Sequence, residues 1–228
     1  MQPEIQYGSP SNALSIERNK VLRNTYLLLA LTMVPTVIGA FIGISTSGII
    51  MQHPIMASLL MIAGVIGLQY AIAANRNSGV GVLLLLGMTF LLGWWLGPLL
   101  NIALRLSNGP QLISIAAVGT GGILLTMSLI ATTTKKDFSF MGKFLFVGMI
   151  VLLLAIVANM FFQIPALALT ISALVVVVFS LFLLHDVSRI VTGGETNYIM
   201  AATGVYISLY NIFANLLTLL MAFTGNRD

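Results

Sequence analysis

Long hydrophobic stretches without charge make up most of the chain, and short polar segments separate them. Asp, Glu, Lys and Arg are all absent from five stretches of 28 to 52 residues, namely 24–75, 77–104, 106–134, 144–185 and 196–226. One membrane-spanning helix needs about 20 apolar residues. The three shorter stretches therefore accommodate one helix each, and the two longer stretches accommodate two each. This pattern predicts seven membrane-spanning helices.

A proline marks the break inside each of the two longer stretches. Because proline at the first turn of a helix sacrifices no hydrogen bond, Pro54 and Pro165 indicate helix starts. The predicted helices, numbered spans 1 to 7, cover roughly 25–48, 54–74, 79–101, 111–133, 142–162, 164–184 and 198–222. Their apolar runs are continuous rather than alternating, which excludes a membrane β-barrel. We expect an all-α integral membrane protein.

The ends of the chain differ from this hydrophobic part. Residues 1–24 form a polar tail of mixed charge, residues 25–224 form the seven-helix transmembrane domain, and residues 225–228 form a short C-terminal tail. A cleaved signal peptide has a shorter apolar region and a small-residue cleavage site, so we expect span 1 to be an uncleaved anchor.

Composition supports a membrane location and excludes several classes of protein. Hydrophobic residues make up 58% of the chain and charged residues 7%, whereas soluble domains are about 25% charged. A soluble enzyme is therefore excluded. The chain has no cysteine and two histidines, which excludes disulfides, thiolate metal sites and His-rich zinc sites.

The positive charges predict an orientation. With the N-terminus in the cytoplasm, eight of the ten Lys and Arg residues lie inside and two, Arg105 and Arg227, lie outside. The C-terminus is then periplasmic. The net charge of +4 is explained by this bias and by contact with anionic lipid head groups of the bilayer, so no nucleic-acid partner is expected.

Small and polar residues predict how the spans pack. Gly39 and Gly43 in span 1, and Gly93 and Gly97 in span 3, have the four-residue spacing that lets two membrane helices approach closely. Span 7 carries a polar stripe on one face, formed by Gly204, Ser208, Asn211, Asn215, Thr218 and Ala222. Such a stripe needs partners inside a membrane, so span 7 is expected inside the bundle. Hydrogen bonding between helices and a wet solute pathway both explain the stripe.

Asp186 is the candidate functional acid, because it follows directly on the apolar run of span 6. A helix C-terminus and the hydrocarbon boundary both disfavour its ionised form. Arg189, one turn along the helix, and Arg76, at the end of span 2, are candidate compensating cations. Asp186 is either a pH-sensitive gate or cation site, or an interfacial acid paired with Arg189. His185 is about 100° away around the helix, and we expect no direct contact between the two side chains.

Catalysis is not expected. Both histidines lie at predicted helix ends, the HExxH motif is absent, and the apolar runs contain no pair of aspartates. No catalytic residue or cofactor site is therefore predicted, and Asp186 is the one candidate cation site.

Several segments together resemble the Bax inhibitor-1 family, specifically its proteobacterial branch. They are residues 21–32, 94–101, 132–143 and 157–167, and above all GGETNYI at 193–199 with SLYNIF at 208–213. The resemblance implies a seven-helix bundle in which span 7 is central and the other six surround it. The branch includes a modulator of FtsH, a membrane-anchored protease of the bacterial inner membrane, which implies FtsH as a partner and the N-terminal tail as the segment it grips.

The family is also associated with a pH-sensitive Ca²⁺ leak, in which two aspartates near the cytoplasmic ends of the sixth and seventh helices form a latch and proton sensor. Asp186 matches the first of these aspartates, and Ser208 stands at the position of the second. A lone carboxylate loses the coupling between like charges that raises one pKa of such a pair. A leak of Ca²⁺ or protons gated near Asp186 is thus the alternative function.

Overall fold

The computed structural model describes residues 10–134 and 136–224, and this part of the chain is helical apart from short connections. Its nine helices are α1 (Pro10–Ser45), α2 (Ser47–Gln52), α3 (Pro54–Ala74), α4 (Gly79–Trp95), α5 (Gly97–Leu104), α6 (Gly109–Thr134), α7 (Met141–Phe162), α8 (Pro165–Thr192) and α9 (Tyr198–Thr224). The predicted all-α class is confirmed.

Seven segments of the described chain are long and apolar enough to cross a membrane, which confirms the predicted number. They are span 1 (Glu17–Ser45), span 2 (Pro54–Ala74), span 3 (Gly79–Leu104), span 4 (Gly109–Thr134), span 5 (Met141–Phe162), span 6 (Pro165–Thr192) and span 7 (Tyr198–Thr224). Pro54 and Pro165 are the first residues of their helices, as predicted.

Helix ends differ from the prediction where polar residues continue a helix. The helix of span 1 begins at Pro10, so residues 10–24 of the predicted tail are helical, while residues 1–9 and 225–228 lie outside the described residues. Span 6 continues to Thr192 instead of ending near residue 184. Hydropathy marks where lipid contact begins and ends, whereas charged residues such as Glu, Lys and Arg extend a helix readily.

Glycines bring spans 1 and 3 into close contact, as their spacing predicts. A Cβ atom at Gly39, Gly43, Gly93 or Gly97 would overlap backbone atoms of the facing helix. The two backbones therefore touch at four positions along one seam. This contact fixes span 3 against span 1 and gives the bundle its tightest helix pair.

Span 7 is the central helix of the described structure. It contacts spans 1, 2, 3, 4 and 6, and Phe223 is its only exposed residue. Span 5, by contrast, packs against span 6 alone within the described residues, so the expectation that all six other spans surround span 7 is wrong for span 5. Its surface consists mainly of large aliphatic and aromatic side chains, which lipid tails solvate as well as another helix would.

Candidate functional site

A polar cavity of about 210 Å³ lies where spans 2, 6 and 7 meet at one end of the bundle. It is lined by Gln69, Asp186, Arg189, Glu195, Met200, Ala201, Thr203, Gly204 and Ile207. Three of the predicted site residues, Asp186, Arg189 and Gly204, are thereby brought together. The lining carries two carboxylates and one guanidinium, a charge balance that favours a cationic or hydrogen-bond-donating group.

The carboxylate of Asp186 lies against Gly204 of span 7. An ideal Cβ atom at Gly204 would be 2.8 Å from Oδ2 and 3.4 Å from Cγ of Asp186. The missing side chain at Gly204 is what makes room for the carboxylate between spans 6 and 7. The first member of the span 7 stripe thus faces the candidate gate residue.

Asp186 contacts its neighbour His185, and the expectation of no direct contact is wrong. Nδ1 of His185 lies 3.0 Å from Oδ1 of Asp186, with both side chains largely buried. The angle of about 100° describes where two successive residues leave the helix, and side-chain rotation closes the remaining gap. The two atoms are within hydrogen-bonding distance, and which of them donates depends on the tautomer of the imidazole.

The imidazole also connects the site to span 5. An ideal Cβ atom at Gly142, in the first turn of span 5, would be 2.9 Å from Nε2 of His185. Since span 5 packs only on span 6, this contact is part of the attachment of a peripheral helix. His185 therefore lies between Asp186 and span 5.

Asp186 does not end its helix, contrary to expectation. The helix of span 6 continues for six residues beyond it to Thr192. The effect of the helix dipole falls off within the last turn, so the dipole argument for disfavouring the ionised carboxylate does not apply. Nor does Arg189 form an ion pair with Asp186. Its Nη2 atom lies 3.4 Å from Oε2 of Glu195 and 3.3 Å from the carbonyl oxygen of Gly194.

The GGETN segment forms a tight connection between spans 6 and 7. Gly193 ends span 6 in the left-handed region, with φ of 86°, a conformation that glycine adopts without strain. The Glu195 carboxylate accepts a hydrogen bond from the backbone N–H of Asn197 at 2.9 Å and faces Arg189. Glu195 thus stabilises the loop and does not act as an unpaired acid in the cavity.

Asn197 caps span 7 and anchors it to the loop between spans 2 and 3. Its Oδ1 accepts hydrogen bonds from the backbone N–H groups of Ile199 and Met200, both at 3.0 Å. Its Nδ2 donates to the carbonyl oxygen of Arg76 at 2.8 Å and to Oδ1 of Asn77 at 2.9 Å. Arg76 enters the site through this backbone carbonyl, and its side chain is exposed.

Ser188 attaches the loop between spans 4 and 5 to span 6. Its fully buried hydroxyl donates to the carbonyl oxygen of Lys136 at 2.9 Å and accepts from the N–H of Phe138 at 3.1 Å. In the same loop, hydrogen bonds from the side chain and backbone of Ser139 hold the pKa of Asp137 below its usual value, and nearby His185 lowers it further. A carboxylate thus remains ionised beside the His185–Asp186 pair.

The polar side chains farther along the span 7 stripe lie outside the cavity lining. Asn211, Asn215 and Thr218 each donate to the carbonyl oxygen four residues earlier, at 2.8 to 2.9 Å. Their hydrogen bonds in the described structure stay within span 7, so the expected hydrogen bonding between helices is not supported. Ser208 is buried one turn beyond Gly204 and does not line the cavity.

Of the six cavity residues that the sequence argument missed, Gln69 and Glu195 carry the longest polar side chains. Gln69 is an amide inside the otherwise apolar second half of span 2, and a search for uncharged polar residues in apolar runs would have found it. Glu195 lies within the GGETNYI segment, which served only to establish resemblance. The sequence does not show which residues lie next to Gln69 and Glu195, because these contacts depend on the arrangement of the helices.

Comparison with known proteins gives one family and relatives that match most of the chain. The sequence profile described as "Inhibitor of apoptosis-promoting Bax1" matches residues 18–225. A protein of Escherichia coli K12 named "Modulator of FtsH protease YccA" is 40% identical over 90% of this chain and 91% of its own. The counterpart in Escherichia coli O6:H1, named "Inner membrane protein YccA", matches equally well. An uncharacterized protein of Neisseria meningitidis serogroup A is 39% identical over 93% of this chain and 95% of its own.

Proposed function

The chain belongs to the Bax inhibitor-1 family, the inhibitors of apoptosis-promoting Bax1, and from this membership we propose that it binds and modulates the FtsH protease of the bacterial inner membrane. It acts as a substrate that competes with other substrates of the protease. The observation that carries the proposal is the similarity, over 90% of this chain, to the Escherichia coli relative named as a modulator of FtsH. The proposed activity is binding, without catalysis of its own.

The N-terminal segment of the structure supports this role. The helix of span 1 starts at Pro10, fifteen residues before the apolar run at residue 25, and so extends about 22 Å beyond it. Residues 17–20 of this extension are exposed and polar. An ATP-driven protease needs an accessible polar segment to pull on, and this extension presents one outside the bilayer.

Deleting residues 2–14 tests the proposal. We expect the shortened chain to persist severalfold longer than the full chain in membranes that contain FtsH, because the protease loses its grip, and to show no change in membranes that lack FtsH. Pulse-chase measurement of half-life gives the result. The control replaces residues 2–14 with a Gly/Ser linker of equal length. It separates the effect of losing this sequence from the effect of shortening the N-terminal segment. Equal half-lives of the full chain with and without FtsH would contradict the proposal.

The same proposal requires an N-terminus in the cytoplasm, where FtsH would engage it. The positive-inside rule supports this orientation. Two hydrogen bonds link loops at one end of the bundle: Asn197 bonds to the loop between spans 2 and 3, and Ser188 bonds to the loop between spans 4 and 5. All these loops belong to the end of the bundle that also holds the polar cavity.

Single cysteines test the orientation, since the natural chain has none. Thr196 and Ser107 are exposed residues in loops at opposite ends of the bundle. In intact spheroplasts, a membrane-impermeant maleimide should label Ser107→Cys and leave Thr196→Cys unlabelled, and permeabilisation should make both reactive. If only Thr196→Cys is labelled in intact spheroplasts, the orientation is opposite to the one proposed.

A Ca²⁺ or proton leak gated near Asp186 is the less favoured alternative. The described residues contain no group of three or more His, Asp or Glu side chains placed to hold a metal ion. Ser208, at the position of the second latch aspartate, lies outside the cavity that Asp186 lines. No specific contact in the site favours conduction over protease binding.

A further inference from the structure

A long apolar groove lies on the other side of span 7, away from the polar cavity. It has a volume of about 740 Å³ and runs between spans 1 and 4. Its lining extends along span 1 from Tyr26 to Ile44, a distance of about 27 Å for 18 residues, which is close to the thickness of the hydrocarbon core, about 30 Å.

The groove exists because spans 1 and 4 do not pack against each other. In the described chain, no Cα atom of span 1 lies within 8 Å of one in span 4. The two spans are linked near one end of the groove, where the Tyr26 hydroxyl donates to Oγ of Ser128 at 2.6 Å. Tyr206 and Tyr210 of span 7 belong to the lining, and the Tyr206 hydroxyl is hydrogen-bonded to Thr36. The surface that remains is almost wholly apolar.

A cation of the described chain, Arg105, lies beside the opposite end of the groove. Leu104, which lines the groove, is followed directly by Arg105. Nε of Arg105 donates to Oδ1 of Asn101 at 3.0 Å, and Nδ2 of Asn101 donates to the carbonyl oxygen of Ile44, another lining residue, at 3.2 Å. The guanidinium is therefore tethered just beyond the groove lining, beside Leu104 and Ile44.

No other Asp, Glu, Lys or Arg of the described chain lies at this end of the bundle. The loops there, residues 46–53, 105–108 and 163–164, contain Arg105 as their only such residue. An exposed guanidinium at the level of lipid head groups attracts an anion. Charge and shape thus point to one ligand with an anionic head and a long apolar tail.

We propose that this groove is a binding site for a glycerophospholipid, whose acyl chain lies along spans 1, 4 and 7 and whose phosphate binds Arg105. A guanidinium binds phosphate oxygens in a bidentate manner. The volume falls within the range of about 300–1,000 Å³ that small-molecule sites occupy. The bound chain supplies the van der Waals partners that spans 1 and 4 do not give each other. This site is independent of the proposed role with FtsH.

Filling the groove tests the position of the acyl chain. Gly121 lines the groove, and an ideal Cβ atom there has no other atom within 4 Å, so Gly121→Leu projects into the groove without a backbone clash. Gly122 has equally open surroundings and does not line the groove, so Gly122→Leu is the matched control. Native mass spectrometry of the full chain in detergent, with added dioleoylphosphatidylglycerol, should show retained lipid for the wild type and Gly122→Leu and at least a tenfold loss for Gly121→Leu.

Neutralising the cation tests the position of the phosphate. Arg105→Gln should weaken retention of dioleoylphosphatidylglycerol about tenfold and leave retention of phosphate-free dioleoylglycerol unchanged, whereas Arg76→Gln at the other end of the bundle should change neither. Equal retention by Gly121→Leu and the wild type overturns the acyl-chain site even if all variants fold. Unchanged selectivity in Arg105→Gln overturns the phosphate contact. Occupation by detergent alone, or by a second copy of the chain, overturns the proposal as a whole.

Discussion

Gly97→Leu is expected to prevent assembly of spans 1 and 3, the largest effect on stability that the structure predicts for one substitution. A Cβ atom at Gly97 would overlap the backbone of Gly43, and no side-chain rotation relieves a clash with backbone. Overpacking of a core costs about 1–3 kcal/mol when side chains can adjust. Because here only a helix shift can relieve the overlap, we expect a loss of at least about 3 kcal/mol.

Span 3 also offers a matched control for this substitution. Gly87 in span 3 is exposed, and an ideal Cβ atom there has no other atom within 4 Å. Gly87→Leu should therefore leave thermal unfolding in detergent near that of the wild type, while Gly97→Leu yields little monodisperse protein. If both variants unfold at the same temperature as the wild type, the contact between spans 1 and 3 is not what holds the bundle together.

Asn197→Ala is expected to destabilise the protein by about 2–3 kcal/mol, since it removes a helix cap worth about 1 kcal/mol and two further hydrogen bonds of about 1 kcal/mol each. The cap acts on Ile199 and Met200, and the further bonds reach the loop between spans 2 and 3. Loss of both should loosen the start of span 7, where the cavity with Asp186 lies.

Asn197→Asp separates the two roles of this side chain. The carboxylate keeps the acceptor for the cap but loses both hydrogen bonds that Nδ2 donates to the loop, so about two thirds of the loss should remain. Thr196→Ala is the control, because Thr196 is exposed and adjacent. Hydrogen exchange at the start of span 7 and thermal unfolding measure the effect. Equal stability of Asn197→Ala and Thr196→Ala would show that neither the cap nor the anchor stabilises span 7.

Much of the architecture is readable from local sequence, because the membrane imposes a fixed length and a uniform apolar environment. The uncharged stretches yielded the correct number of spans, and Pro54 and Pro165 marked helix starts correctly. The glycine pairs correctly indicated one closely packing face on span 1 and one on span 3, and the tertiary structure shows that these two faces meet. In each of these cases one helix carries the whole signal.

Helix ends outside the hydrocarbon were predicted incorrectly, because hydropathy marks the edge of the membrane and not the end of the helix. Hydropathy falls near residues 25 and 184, but the backbone continues to bond helically from Pro10 and as far as Thr192. The interpretation of Asp186 depended on its being terminal, so one misplaced helix end carried over into the chemistry assigned to the site. Charged residues leave a membrane without necessarily leaving a helix.

The sequence by itself determined the class, the number of spans, the glycine pairs that allow close packing in spans 1 and 3, and the choice of Asp186 as a candidate. Tertiary structure alone decided that Asp186 lies on Gly204, that Arg189 pairs with Glu195, that span 5 is peripheral, and that spans 1 and 4 leave a groove open. The physical reason is that periodicity and hydropathy describe one helix at a time. A pocket, an ion pair or a groove depends on the rotation and depth of several helices relative to one another, and these follow from the packing of all their side chains together.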